Sequence, residues 1–346
     1  MNEKPMSDVV ARRLQTAAQR LGSADPLPYV KPLIDRTFYL PQGDSKYAEN
    51  TLTPGAAPLE PSFSENEPHD LRFTVEPLGP EASPVMRRDE ATREMRRLVS
   101  PVFGQDALRW FDGRSEEWRG MGSRSRLRYG AFFGTSYDRD GMHASKVYYE
   151  MSPNQIDALP PALASLARQA MQTLPSLVPM FTTIACRRNS GVQRTTFLQL
   201  GPLRLGDLKP LLQRIGLAHQ LPGLMQMMGL ALGGRFELPP ETVVLALGQT
   251  TEGPELKLEV MLGRIPDLPR TFLDLLALGL AEKPKELNAL MSWLRAFTPE
   301  SSELPGRFSV LSVRITPKSP ARVSLYLRPI EFEITDRFVE RNGVPG

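Results

Sequence analysis

PLEPSFSENEPHDLRFTVEPLGP, residues 58–80, alternates in a way that suits an extended chain. In LRFTVEP (71–77), Leu71, Phe73 and Val75 fall on one side, and Arg72, Thr74 and Glu76 fall on the other. Successive residues of a strand point to opposite faces, so this is a strand with one apolar and one polar face. The turn-rich ENEPHD (65–70) separates it from a second β-type segment at 58–64, and the pair predicts a hairpin. A helical pattern follows at 88–99.

Working outward, the same unit recurs at intervals of roughly 50–70 residues, the self-similarity to look for before a fold is assigned. Segments 126–133 and 145–151 flank TSYDRDGMH, with a helix at 154–173. Segments 180–186 and 194–200 flank RRNSGVQ, followed by helices at 205–219 and 222–232. Segments 242–248 and 255–262 flank QTTEGP, followed by helices at 270–280 and 284–297. Segments 308–316 and 321–327 flank PKSP. Before the first unit, residues up to about 24 read as an amphipathic helix, and 25–57 as a Pro-, Gly- and Ser-rich stretch with little regular structure, a lid or a connector.

The later second strands repeat the two-faced pattern. SKVYYEM sets Val147, Tyr149 and Met151 against Lys146, Tyr148 and Glu150; ELKLEV sets Leu256, Leu258 and Val260 against Lys257 and Glu259. RVSLYLR sets Val323, Leu325 and Leu327 against Arg322, Ser324, Tyr326 and Arg328. Helices between the hairpins must cover the apolar face, because that removes both apolar stripes from water. The polar faces then meet solvent in an open α+β sheet, or line a roomy lumen if ten strands close into a barrel. Alternation alone is compatible with both.

Composition bounds the function. The chain has 346 residues, of which 41% are hydrophobic and 23% charged, as in a globular protein. A net charge of +3 from 42 basic and 39 acidic residues gives no general argument for nucleic acid or an anionic membrane, so any anion preference is local. The single Cys186 excludes an intramolecular disulfide and points to a reducing compartment. His69, His143 and His219 show no metal-ligand spacing. The N-terminus lacks the apolar core of a signal peptide and no stretch approaches the ~20 apolar residues of a membrane span, so a cytoplasmic protein is expected. The Met-rich run GLMQMMGLALGG reads as adaptable core filling, Trp110, Trp118 and Trp293 as core or helix packing, and the basic run RGMGSRSRLR (119–128) as mostly solvated.

The quoted stretch, with Glu60, Arg72 and Glu76-Pro77, resembles the N-terminal signature of the dimethylallyltryptophan synthase family of aromatic prenyltransferases, which have the ABBA or PT-barrel fold. Lys146-Val147-Tyr148 and the closing RVSLYLRP with Tyr326 are similar to two further motifs of that family, and the repeated order covers about residues 58–328. The resemblance implies an α+β fold: a closed ten-strand antiparallel β-barrel of five ββαα units surrounded by helices. The barrel would span 58–330, with an N-terminal helix and lid or connector at 1–57 and a tail at 331–346. The chain departs from the family in unit three, where RTTFLQL keeps Arg194 but not the usual Lys and Tyr, and in unit four, where Lys257 and Glu259 stand in place of a polar residue and a Tyr.

The resemblance further implies transfer of a dimethylallyl or geranyl group from its diphosphate to an aromatic acceptor such as tryptophan, an indole or a peptide, in a monomer or weak dimer. The chain has no DDxxD, and inward cations would replace magnesium, so no cofactor is expected. Arg72 and Lys146 are the carried-over diphosphate ligands, with Arg194, Lys257, Arg314 and Arg322 as residues that would share the task. Arg offers bidentate contacts to phosphate and Lys a mobile point charge. Tyr148 and Tyr326 would shield an allylic cation with their ring faces, beside Glu259. Glu60 would take the proton that the alkylated ring releases.

Overall fold

The structure is a computed structural model that describes residues 4–120 and 127–334. Ten strands close into one antiparallel barrel. They are β1 (Leu59–Ser64), β2 (Leu71–Val75), β3 (Ala131–Asp138), β4 (Gly141–Glu150), β5 (Leu177–Arg187) and β6 (Ser190–Gln199), then β9 (Val243–Thr250), β10 (Gly253–Met261), β11 (Gly306–Ile315) and β12 (Arg322–Pro329). Between them, β7 (Leu203–Arg204) and β8 (Glu237–Leu238) form a separate two-residue ladder. Consecutive hairpins are neighbours all round, and β12 pairs with β1 to close the ring, with Ser62 opposite Tyr326. The open-sheet alternative is thereby excluded.

Helices wrap the barrel. α1 (Met6–Leu21) and α2 (Leu27–Thr37) precede it, α3 (Pro84–Phe103) and α4 (Gln105–Arg119) follow the first hairpin, and α5 (Pro161–Thr173) follows the second. After the third hairpin come α6 (Lys209–Arg214) and α7 (Leu221–Ala231), and after the fourth α8 (Phe272–Gly279) and α9 (Pro284–Phe297). Their apolar stripes meet the outward face of the sheet. Phe73, Val147, Leu258 and Leu325 are buried there, and the Trp293 ring lies 6.1 Å from that of Phe63. Each such side chain contributes about 1.5–3 kcal/mol by leaving water. Trp118 and Met228 are also buried in this outer layer.

Several expectations need correction. Residues 25–57 are not without regular structure, since α2 and a 3-10 turn at Ser45–Glu49 lie within them. Val30, Leu33 and Ile34 of α2 are fully buried, and that burial outweighs the two prolines that disguise the helix. The first strand of the second unit begins at Ala131, and the described residues 127–130 of the expected strand do not join it, because the Glu150 carboxylate accepts from the backbone N–H groups of Arg128, Tyr129 and Gly130 and bends the chain there. That strand then runs on through residues expected in the turn, to Asp138. α4 lies where no second helix was expected. Residues 121–126 of the basic run and 335–346 of the expected tail lie outside the described residues.

Candidate functional site

The barrel encloses a cavity of about 600 Å³. Glu60, Arg72, Lys146, Tyr148, Arg194, Lys257, Glu259 and Tyr326 all line it. Arg314 lines it as well. Arg322 does not: its guanidinium is engaged by Glu286 at 3.2 Å at the barrel end. Because the hairpin turns all lie at one end of the barrel, position along each strand gives depth. Arg72, Arg187, Glu255 and Arg314 lie near the turns, Lys146 and Lys257 lie midway, and Phe132, Phe181, Val244 and Met261 lie near the far end with Glu60.

Two carboxylates hold the cations apart. Glu67 sits 3.4 Å from Arg72 and 3.3 Å from Arg187. Burial opposes ionisation of Glu67, but the two guanidinium groups outweigh it and its pKa is lowered. Glu255 bonds Arg194 and, at 2.6 Å, Arg314. Here too burial works against the charge, yet the paired arginines pull the pKa down to about 2. Gly248 makes room for this pair, since a Cβ there would lie 2.5 Å from the Glu255 Oε1. The pairing is incomplete. Nε of Arg72 and Nε of Arg187 are buried with no acceptor among the described residues. Unpaired buried donors are costly, and in a lumen they imply a ligand.

Lys146 has no carboxylate within ion-pair distance among the described residues. Its side chain crosses Gly134, where a Cβ would lie 2.5 Å from its Cε, and its Nζ stands 5.1 Å from the centre of the Tyr148 ring. Burial, then Arg72, Lys257 and Arg194, hold its pKa well below that of an ordinary lysine. The arrangement attracts anions even before one arrives. Lys257 donates to Glu259 at 2.6 Å and to the Tyr326 hydroxyl at 2.5 Å, and lies 5.0 Å over the Tyr326 ring.

Glu60 stands apart from these pairs. It pairs with Thr74 across β2, Thr74 with Gly134, and Gly134 with Lys146, so one cross-strand row carries both the carboxylate and the amine. Burial raises the Glu60 pKa to about 7, although Ser309 donates to it at 2.6 Å and limits the rise. A carboxyl tuned to neutrality can exchange a proton with a bound molecule.

Arg187, Glu67 and Glu255 were not anticipated from the sequence. Arg187 and Glu255 carry the inward parity of Thr183 and Lys257 on their own strands; Arg187 falls in a stretch read as a turn, whereas Glu255 begins a segment read as a strand and its parity was legible. Glu67, Asp70 and His143, far apart in sequence, meet with ligand atoms within 4.8 Å. Glu67 is already shared by two arginines and Asp70 by His143 at 2.6 Å, so a metal there would have to displace both.

Neither protein-family models nor curated proteins give a match to this chain. Solved structures do. 6-dimethylallyltryptophan synthase from Micromonospora olivasterospora, in complex with DMASPP and Trp, superposes with a TM-score of 0.71 at 16% identity over 96% of this chain and 99% of that one. The chain has the prenyltransferase barrel fold. 5-dimethylallyltryptophan synthase from Streptomyces coelicolor gives 0.69 at 15% identity, covering 96% and 99%. Prenyltransferase PriB in ternary complex with L-tryptophan and dimethylallyl thiolodiphosphate gives 0.66 at 15%, covering 95% and 98%. The likeness to this barrel spans the N-terminal helices as well as the strands. No described helix is long and apolar enough to cross a membrane.

Proposed function

We propose that the protein is an aromatic prenyltransferase that moves a dimethylallyl group, or a longer isoprenyl group, from its diphosphate to an indole or tryptophan ring without a metal ion. One observation carries this reading. The lumen of a closed ring of strands presents under-paired cations at one end and a buried carboxyl with a pKa near 7 at the other. The ternary complex of the structurally similar PriB with L-tryptophan and dimethylallyl thiolodiphosphate supports it.

The division of labour follows from charge. The C1–O bond of the donor breaks with its electron pair leaving on the diphosphate. Arg72, Lys146, Arg187 and the Arg194–Arg314 pair receive that negative charge inside the barrel, where fixed donors are worth more than in bulk water. The allylic cation then lies against the faces of Tyr148 and Tyr326. π electrons of the acceptor ring form the new carbon–carbon bond, and Glu60 as carboxylate accepts the displaced ring proton. Pyrophosphate remains on the cations.

Incubation with dimethylallyl diphosphate and L-tryptophan in excess EDTA tests the reading. Prenylated tryptophan and pyrophosphate are expected in equal amounts. Absence of product with any indole or phenol acceptor, while pyrophosphate still binds, would make this a ligand-binding barrel. Loss of turnover on adding EDTA would contradict the metal-free step.

A further inference from the structure

Glu76, singled out in the sequence, does not point into the lumen, and the fold gives it another task. It is 1% exposed, and one carboxylate oxygen accepts from the backbone N–H of Thr51 at 2.7 Å, from the Thr51 hydroxyl at 2.8 Å and from the N–H of Leu52 at 2.9 Å. The other oxygen lies 2.9 Å from the buried Arg87. Thr51 and Leu52 line the cavity, although they belong to no barrel strand. The segment around them is tied down elsewhere. Asn50 Nδ2 donates to the carbonyls of Tyr47, Thr53 and Ala56, and its Oδ1 accepts from the Thr53 N–H. The Ala57 N–H bonds the Phe332 carbonyl, and Ala56 bridges to Glu333.

This strap lies at the end of the barrel away from the hairpin turns. The Glu76 N–H bonds the Pro58 carbonyl, and Glu60 lies two residues further along the same strand edge. The strap therefore stands at the Glu60 end, opposite Arg72, Arg187 and Arg314. A buried carboxylate that accepts from two backbone N–H groups and a hydroxyl, and pairs with a buried Arg, makes a rigid fixing point, not a hinge.

Resting on the proposed function, we infer that Leu52 is a specificity-determining residue, and Glu76 the positioning residue that fixes it as a wall limiting the acceptor to a single aromatic amino acid or an indole of that size. An acceptor that continued as a peptide towards this end of the lumen would meet the Thr51–Leu52 strap. Glu76 itself touches no substrate.

The test uses the full chain with dimethylallyl diphosphate and two acceptors, free L-tryptophan and a tripeptide with central tryptophan. The unsubstituted protein is expected to prefer the free amino acid. Leu52→Ala, which changes a half-buried side chain and spares the fold, should raise the tripeptide-to-tryptophan ratio of kcat/KM by about tenfold, the scale of size discrimination by a few methylenes. Leu52→Trp should raise KM for tryptophan by about tenfold and leave pyrophosphate affinity unchanged. Glu76→Gln should move the same ratio in the direction of Leu52→Ala, with pyrophosphate affinity again unchanged, which a general loss of folding would not produce. Equal use of both acceptors by the unsubstituted protein, or a ratio unmoved by both Leu52 variants, overturns the size limit while leaving the prenyltransferase reading in place. If no indole acceptor is turned over at all, that reading fails and the inference falls with it.

Discussion

Glu60→Gln should raise stability and lower activity together, with a gain in stability that shrinks as the pH falls. Burial lifts the Glu60 pKa from the ordinary 4.5 to about 7, and Ser309 and the lumen cations recover part of the cost. At about 1.4 kcal/mol per pKa unit, the buried ionised form costs the folded protein about 3 kcal/mol. The folded carboxyl holds its proton more tightly than the unfolded one. Its favourable contribution is therefore full below about pH 4.5 and is lost as the pH rises to about 7. Above that the native protein carries a buried charge that the variant lacks, while Gln keeps an oxygen to accept from Ser309. Denaturant titration at pH 8.5 should find the variant more stable by about 1–3 kcal/mol, and the difference should shrink to under about 1 kcal/mol at pH 5. Turnover with tryptophan should fall by about 10²-fold or more, the range of a lost general base, and pyrophosphate affinity should change by less than about twofold. In the unsubstituted protein, kcat/KM should fall as pH drops through about 7. A variant less stable than its parent at pH 8.5, or one with undiminished turnover, would refute the assignment.

Three further outcomes test the donor end. Binding of inorganic pyrophosphate at alkaline pH should be accompanied by proton uptake, because burial and the neighbouring Arg72, Lys257 and Arg194 hold Lys146 below its ordinary pKa, opposed by Glu67, and the arriving anion favours the ammonium; titration calorimetry in two buffers of different ionisation enthalpy reads this, and Lys146→Met should reduce it. Gly134→Ala should raise KM for the donor by about tenfold with a smaller effect on thermal stability, since its Cβ would meet the movable Cε of Lys146 at 2.5 Å first, and the Lys146 Cγ at 3.1 Å and the Thr74 Oγ1 at 3.3 Å only as tight contacts. Glu255→Gln leaves the half-buried Arg194 and Arg314 facing each other, so the protein should lose about 1–3 kcal/mol, and saturating pyrophosphate should recover part of it in a thermal melt.

The hairpins were legible in the sequence because a strand with one covered face must alternate with period two, and the observed β2, β4, β10 and β12 keep the parity read for them. The direction in which the polar face points was not. Lys146 and Lys257 would look the same beside bulk water as beside a diphosphate, and it took the resemblance carried by Glu60 and Arg72 to turn that face inward. Arg187 was hidden for a different reason, while Glu255 stood at the start of a strand already read and shares the parity of Lys257. Barrel strands here run to two-residue turns such as Arg188-Asn189 and Thr251-Glu252, so polar residues that resemble turn chemistry continue the ladder and line the rim. α2 was hidden by its prolines, one in its first turn and Pro32 inside it, because local propensity gives no account of the core that buries Val30 and Ile34.

Charge in the lumen is balanced between two demands. A barrel lined with unpaired arginines would repel itself apart, since each buried cation loses hydration and meets like charges at low dielectric. Glu67 and Glu255 each answer two arginines at once, the smallest number of carboxylates that quiets them. Full neutralisation would leave nothing for a diphosphate. The two arginine Nε groups without acceptors and the isolated Lys146 are what remains, and they lie around the same space. Lys146 meets the demand differently from the arginines: a lysine can shed its proton when the lumen is empty and regain it when an anion enters, which a guanidinium cannot. Placing a lysine without a carboxylate partner midway, linked to Glu60 through Thr74 and Gly134, therefore leaves one cation of the lumen whose charge can adjust to an arriving anion.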